Sequence, residues 1–106
     1  DYGNTPEAFA ELKGRVDEAA LAVGRDPSTL EATAAVFVQL EGGGGRVMGH
    51  YADGKTIEPV SGSPAEVADQ LRAFEPAGAS HIQLVVDPIT RDSIEWLAQV
   101  IELLRA

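Results

Sequence analysis

Residues 34–38, Ala-Ala-Val-Phe-Val, are apolar at both parities, and a strand with that pattern asks for cover on both of its faces. It belongs in a parallel sheet under helices. A second strand-like run, His81-Ile-Gln-Leu-Val-Val86, is closed by Asp87-Pro88. The other periodic segments have helical spacing, so the chain reads α-β-α-β-α, and its strand–helix–strand unit predicts a right-handed parallel crossover. Two parallel strands are too few to stand alone, because each leaves an edge unpaired. The missing strands are therefore expected from the rest of a larger protein or from another copy. On this reading residues 1–106 form a single incomplete α/β domain.

The helix signals are local and specific. Thr5 offers a capping oxygen, Pro6 suits the first helical position, and Glu7 and Glu11 favour the positive end of a helix over about 5–23. Phe9, Leu12, Val16, Ala19 or Ala20, and Val23 fall on one face of it. Gly24 can close the helix in a left-handed conformation, and Pro27 stops any continuation. Ser63-Pro64-Ala65-Glu66 spells a capping box with proline at the first turn, followed by Val67, Leu71 and Phe74 as a buried stripe. Pro76 predicts an end near Glu75, before a turn at Gly78. Asp92 with Glu95 predicts a second capping box for a last helix of about 92–105. Its apolar positions, among them Ile94, Trp96, Leu97, Val100 and Ile101, cover more than one stripe, as contact with two neighbours requires.

Composition narrows the function classes. Eight Lys and Arg against seventeen Asp and Glu leave a net charge of −9, which repels phosphate backbones and anionic lipid, so neither nucleic acid nor a membrane is the expected partner. An apolar fraction of 44% is that of a globular chain. With no cysteine, disulfide scaffolds, thiol redox chemistry and cysteine-ligated zinc fall away. No apolar run reaches the ~18 residues of a membrane span, and no signal peptide is visible, so a cytoplasmic location is expected. The chain starts at Asp1 and its one methionine is Met48, the pattern of something processed, tagged or cut from a longer polypeptide.

Residues 41–62, EGGGGRVMGHYADGKTIEPVSG, read as a long loop, and loops of that length are usually functional lids or partly disordered. Its glycines invite a phosphate-binding reading that the templates do not support. Gly44 and Gly49 have Walker spacing, but His50-Tyr51 stands where Lys-Ser/Thr is required, and Val47 and Met48 occupy the final positions of any GxGxxG register. A mobile loop is the plainer reading. The two histidines, His50 and His81, lack metal-site spacing, so no metal is expected. No GxSxG elbow occurs either.

The stretch VDEAALAVGRDPSTLEATAAVFVQL is similar to a helix–GRDP–strand segment of the luciferase-like monooxygenase family. GSPAEVADQLRAFEPAGASHIQLVVDP resembles that family's late unit, and IEWLAQVIELLR looks like its closing barrel helix. The resemblance spans nearly the whole chain and lies in order and spacing, with no catalytic motif in it. Pro76 departs from the pattern, since family members continue the helix there. The resemblance implies a (β/α)8 TIM barrel that uses FMN or the deazaflavin coenzyme. Because such a barrel takes about 250 residues, this chain would be its C-terminal fragment, with two parallel strands and the helices around them.

On that reading the loop 41–62 leaves the carboxyl end of a strand, the face where barrel active sites lie. Arg46 and His50 are then the candidate cofactor-binding residues: Arg46 for a cofactor phosphate or acidic substrate, His50 for a hydrogen bond or proton. The plainer alternative is two solvated polar side chains, since nothing nearby in sequence orients either. Asp87 also ends a strand, and Asp-Pro more often starts a turn than serves a site. His81 starts its strand at the opposite end and reads as structural; Trp96 reads as core packing.

The resemblance thus implies the C-terminal part of a flavin- or deazaflavin-dependent oxidoreductase or monooxygenase acting on a small-molecule substrate. Its principal catalytic positions would lie upstream, so no catalytic residue is assigned and the isolated chain is expected to be inactive. The alternative is a free-standing, non-catalytic α/β module that self-associates to complete its sheet. An acidic adaptor for a basic partner rests on net charge alone and ranks last. Six arginines against two lysines, with abundant Ala and Gly, hint at a high-GC source, where deazaflavin enzymes are plausible.

Overall fold

The computed structural model describes residues 4–44 and 58–106. Its elements are helix α1 (Pro6–Ala22), a 3-10 turn at Pro27–Thr29, strand β1 (Thr33–Gln39), helix α2 (Pro64–Arg72), strand β2 (His81–Asp87) and helix α3 (Arg91–Arg105). The protein is a mixed α/β fold with three helices and a two-stranded parallel sheet among the described residues. The register pairs Thr33 with His81 and runs unbroken to Gln39 with Asp87.

The caps follow the sequence closely at two helices. Thr5 Oγ1 accepts from Ala8 N at 3.2 Å, and Gly24 takes a φ of +79° just past the end of α1. At α2 the capping box is complete: Ser63 Oγ accepts from Glu66 N, and Ser63 N donates to Glu66 Oε1 at 3.1 Å. That donated hydrogen bond holds the Glu66 carboxyl below the ordinary glutamate range. Asp26 is lowered in the same way by the backbone N–H of Ser28.

Two boundaries differ from the sequence reading. The cap of α3 is Thr90, extended at φ −135°, whose hydroxyl accepts from Ser93 N at 3.1 Å. Asp92 therefore sits inside the first turn, and Glu95 pairs with Arg91 at 3.0 Å instead of closing a box. The α2 helix stops at Arg72, short of Glu75. Pro76 has no N–H to give to the preceding turn and disfavours helical geometry before it. The chain leaves instead through tighter turns, Phe74 N to Leu71 O at 3.1 Å and Glu75 N to Arg72 O at 3.2 Å.

The core lies between one face of the sheet and the helices α2 and α3. Val36, Val38, Val67 and Val100 are fully buried in it, joined by Phe74 and Leu71. Ile82, Leu84 and Val86 of β2 pack against it while half-buried. Phe9 brings the start of α1 to the same cluster, edge-on to Phe74 with ring centroids 6.1 Å apart. Of the rest of the expected α1 stripe Ala20 is also buried, while Leu12 is half-buried, Val16 is 54% exposed and Val23 is 81% exposed. A groove of about 400 Å³ runs between this helix and the start of β1.

The two-sided cover expected of β1 is only partly met. Ala34, Val36 and Val38 face the helices and are buried, and on the other face Phe37 is buried while Ala35 is exposed. Part of the β1 edge is closed from within the chain. Val60 N donates to Phe37 O at 2.8 Å and Gln39 N donates to Val60 O at 2.9 Å, a single parallel bridge. Beside it, Phe37 N donates to the side-chain oxygen of buried Asn4, whose amide donates to Glu58 O, both at 2.7 Å. The Asn4 amide thus stands where the next peptide group of a neighbouring strand would stand. No helix among the described residues is long and apolar enough to cross a membrane.

Candidate functional site

Parallel strands deliver their carboxyl ends to one edge of the sheet, and each following helix begins there. At that edge lies a cavity of about 580 Å³. The end of β1 contributes Gln39, Leu40 and Glu41; the approach to α2 contributes Ser61 and Gly62. Beyond β2 come Pro88 and Thr90, and the first two turns of α3 add Asp92, Ser93 and Trp96. Apart from Ser61 and Gly62, each contribution is a residue at or just past a strand end, or on the helix that the strand end launches.

The wall is polar with one aromatic plane. Ser61 and Thr90 offer hydroxyls. The Ser93 hydroxyl is buried and lies 2.9 Å from the Thr90 hydroxyl, so these two satisfy each other. Trp96 is half-buried, one side against the core and one side on the cavity. Glu41 and Asp92 are exposed carboxylates on the rim. No group of three or more His, Asp or Glu side chains suited to a metal occurs among the described residues.

Asp87 has a structural function at this edge. It is buried, and its side chain accepts from Gly44 N at 2.8 Å while its carbonyl oxygen accepts from Leu40 N, also at 2.8 Å. It thereby ties the chain leaving β1 to the end of β2. The peptide bond that follows it, Asp87–Pro88, is cis. The close approach requires glycine at 43: a Cβ there would meet the Asp87 carbonyl oxygen at 2.6 Å and its carbon at 2.9 Å. Gly43→Ala is expected to push the two apart and cost about 1–3 kcal/mol. Gly14→Ala, inside α1 with nothing within 4 Å, should instead stabilise by roughly 0.5–1 kcal/mol. Urea denaturation of both variants checks the opposite signs.

Of the residues singled out from sequence, Arg46 and His50 lie outside the described residues. Asp87 is at the cavity's edge of the sheet, and His81 is exposed at the other end of β2, where its N–H donates to Ala32 O at 3.3 Å. Ser61, Thr90 and Ser93 drew no notice as site residues. The available signal was their place in the turn between each strand and its helix, where βα folds gather ligand-binding groups. Trp96 packs on the core as expected and also forms the cavity's aromatic wall. Compared with protein-family models, curated proteins and solved structures, the chain matches none.

Proposed function

We propose that this chain is the C-terminal part of a luciferase-like, flavin- or deazaflavin-dependent oxidoreductase, two βα units of its barrel. The observation that carries the reading is the single cavity at the carboxyl ends of two parallel strands, walled by the turns that lead into α2 and α3. Barrel enzymes build their sites from those same turns. The resemblance of the helix–GRDP–strand and GSPAEVADQLRAF segments to that family supplies the chemistry. The cofactor would carry the hydride or oxygen chemistry. This chain's own residues would bind and orient: Trp96 offers a plane for a ring, and the Ser61 hydroxyl offers a hydrogen bond to a neutral polar group. Glu41 and Asp92 disfavour an anion against this wall, which leaves a cofactor phosphate to Arg46 and His50.

A second reading is a free-standing, non-catalytic α/β module, favoured by the edge of β2 that carries no strand among the described residues. The mass of the native polypeptide bearing IEWLAQVIELLR separates the two. The oxidoreductase reading expects about 27 kDa or more, a whole barrel, with a flavin or deazaflavin absorbance band in the purified protein and no turnover by the 106-residue chain alone. A native species of 11.2 kDa with no bound flavin would overturn that reading in favour of the module.

A further inference from the structure

The ladder geometry identifies which backbone groups of β2 face outward. Leu40 N donates to Asp87 O and His81 N donates to Ala32 O, so the odd-numbered residues of β2 turn their N–H and C=O groups toward β1. In a parallel pair the alternate residues then point away. These include Ile82 and Leu84, and no strand lies beside them among the described residues. Just before them, Ser80 N is already taken by Ala32 O at 2.8 Å. An open edge of this kind is a template for pairing with an extended strand.

The flank beside that edge is apolar and uncharged. Residues 81–86 contain no Lys, Arg, Asp or Glu. On α3, Ile94 is 63% exposed and Ile101 is 43% exposed, and they share a stripe at a spacing of seven. Trp96 faces the carboxyl end of β1, where it lines the cavity with Gln39 and Leu40. Ile94 and Ile101 lie on the opposite side of the helix, beyond β2. A chain of net charge −9 meets its own copy with least repulsion on such a surface. The strand that a second copy can offer is its own β2, because the outer edge of β1 is engaged at Phe37 and Gln39 by Asn4 and Val60.

We propose that two copies of this chain form a two-fold dimer through antiparallel pairing of β2 with β2, centred on Gln83. In this register Ile82 of each copy exchanges both backbone hydrogen bonds with the partner's Leu84, and the two exposed Gln83 side chains face each other as a non-hydrogen-bonded pair. The sheet becomes four-stranded, and the axis brings together the flanks that carry Ile94 and Ile101. The arrangement is isologous and closes on itself, so it stops at two copies. It stands independently of the oxidoreductase reading: in a whole barrel a neighbouring strand takes this edge, and in the 106-residue chain a second copy does.

The chain has no native cysteine, so a single introduced thiol reports the register. Cα atoms of a non-hydrogen-bonded antiparallel pair lie ~4.5 Å apart, within disulfide reach. The expected result is a dimeric mass by sedimentation equilibrium at tens of micromolar, and rapid oxidation of Gln83→Cys to a disulfide-linked dimer. Gln99→Cys, exposed elsewhere on α3, should link far more slowly. Ile101→Lys should weaken the dimer about tenfold or more while circular dichroism stays unchanged. A monomer at all concentrations would overturn the proposal, and so would a dimer in which Gln83→Cys links no faster than Gln99→Cys.

Discussion

Phe74→Ala is expected to remove about 3–5 kcal/mol of folding free energy, a large share of the roughly 5–15 kcal/mol typical of a single domain. Phe74 is the largest of the fully buried side chains. It sits just beyond the last turn of α2, in the tightened turns imposed by Pro76. Its ring touches Phe9 edge-on and belongs to the cluster holding Val67, Leu71 and Val100. Truncation leaves a cavity among side chains of α1, α2 and α3, three elements that would all have to shift to close it. Phe74→Leu, which keeps most of the volume, should lose much less and gives a readable midpoint even where the alanine variant unfolds outright. Urea midpoints for the two variants, with exposed Ala10→Ser as reference, measure the effect. A loss under ~1 kcal/mol for Phe74→Ala, small for any core truncation, would mean that the turn after α2 does not pack as described.

Asn4→Ala should cost about 2–3 kcal/mol, an unusual amount for a residue two positions before a helix. The reason is that its amide serves two backbone groups at once, accepting from Phe37 N and donating to Glu58 O. Alanine leaves both without that partner, in a place where Asn4 and Phe37 are buried. Asn4→Asp separates the two halves of the effect. It can still accept from Phe37 N but sets a carboxylate oxygen against the Glu58 carbonyl, so it should also destabilise. Amide exchange gives the sharper readout. Protection at Phe37 should fall in Asn4→Ala, and protection at Val38, whose N–H points to β2, should change only with global stability. Equal changes at the two amides would show that Asn4 does not cap this strand edge.

Much of the fold was legible because the signals were local. Thr5, Pro6, Ser63, Pro64 and Glu66 satisfy helix ends within three or four residues of themselves, and the structure places them where that chemistry requires. The start of α3 was misread because Asp92-Glu95 and Thr90-Ser93 both have capping spacing. The choice between them turns on which residue is extended as the chain leaves β2, and that residue is Thr90. The end of α2 was misread for a similar reason. Phe74 kept its helical spacing to Val67 and Leu71 and its burial, while Pro76 had already unwound the backbone beneath it.

The candidate site was less legible. Arg46 and His50 were singled out by residue type, and that criterion is blind to ordinary hydroxyls such as Ser61 and Thr90. Those two acquire significance only because parallel pairing aligns the ends of β1 and β2, which lie 48 residues apart in the chain from Gln39 to Asp87. Asn4 is the clearest case of this kind. In the sequence it is an unremarked residue before a helix cap, and no periodicity connects it to position 37. By itself the sequence determined element order and the caps of α1 and α2, because these follow from hydrogen bonds and periodicities spanning a few residues. Tertiary structure alone decided that Asn4 closes the edge of β1, that Asp87 clamps Gly44, and that strand-end hydroxyls and Trp96 share one cavity. Those pairings join groups far apart in sequence, and only the packing of the sheet against its helices brings them within hydrogen-bonding reach.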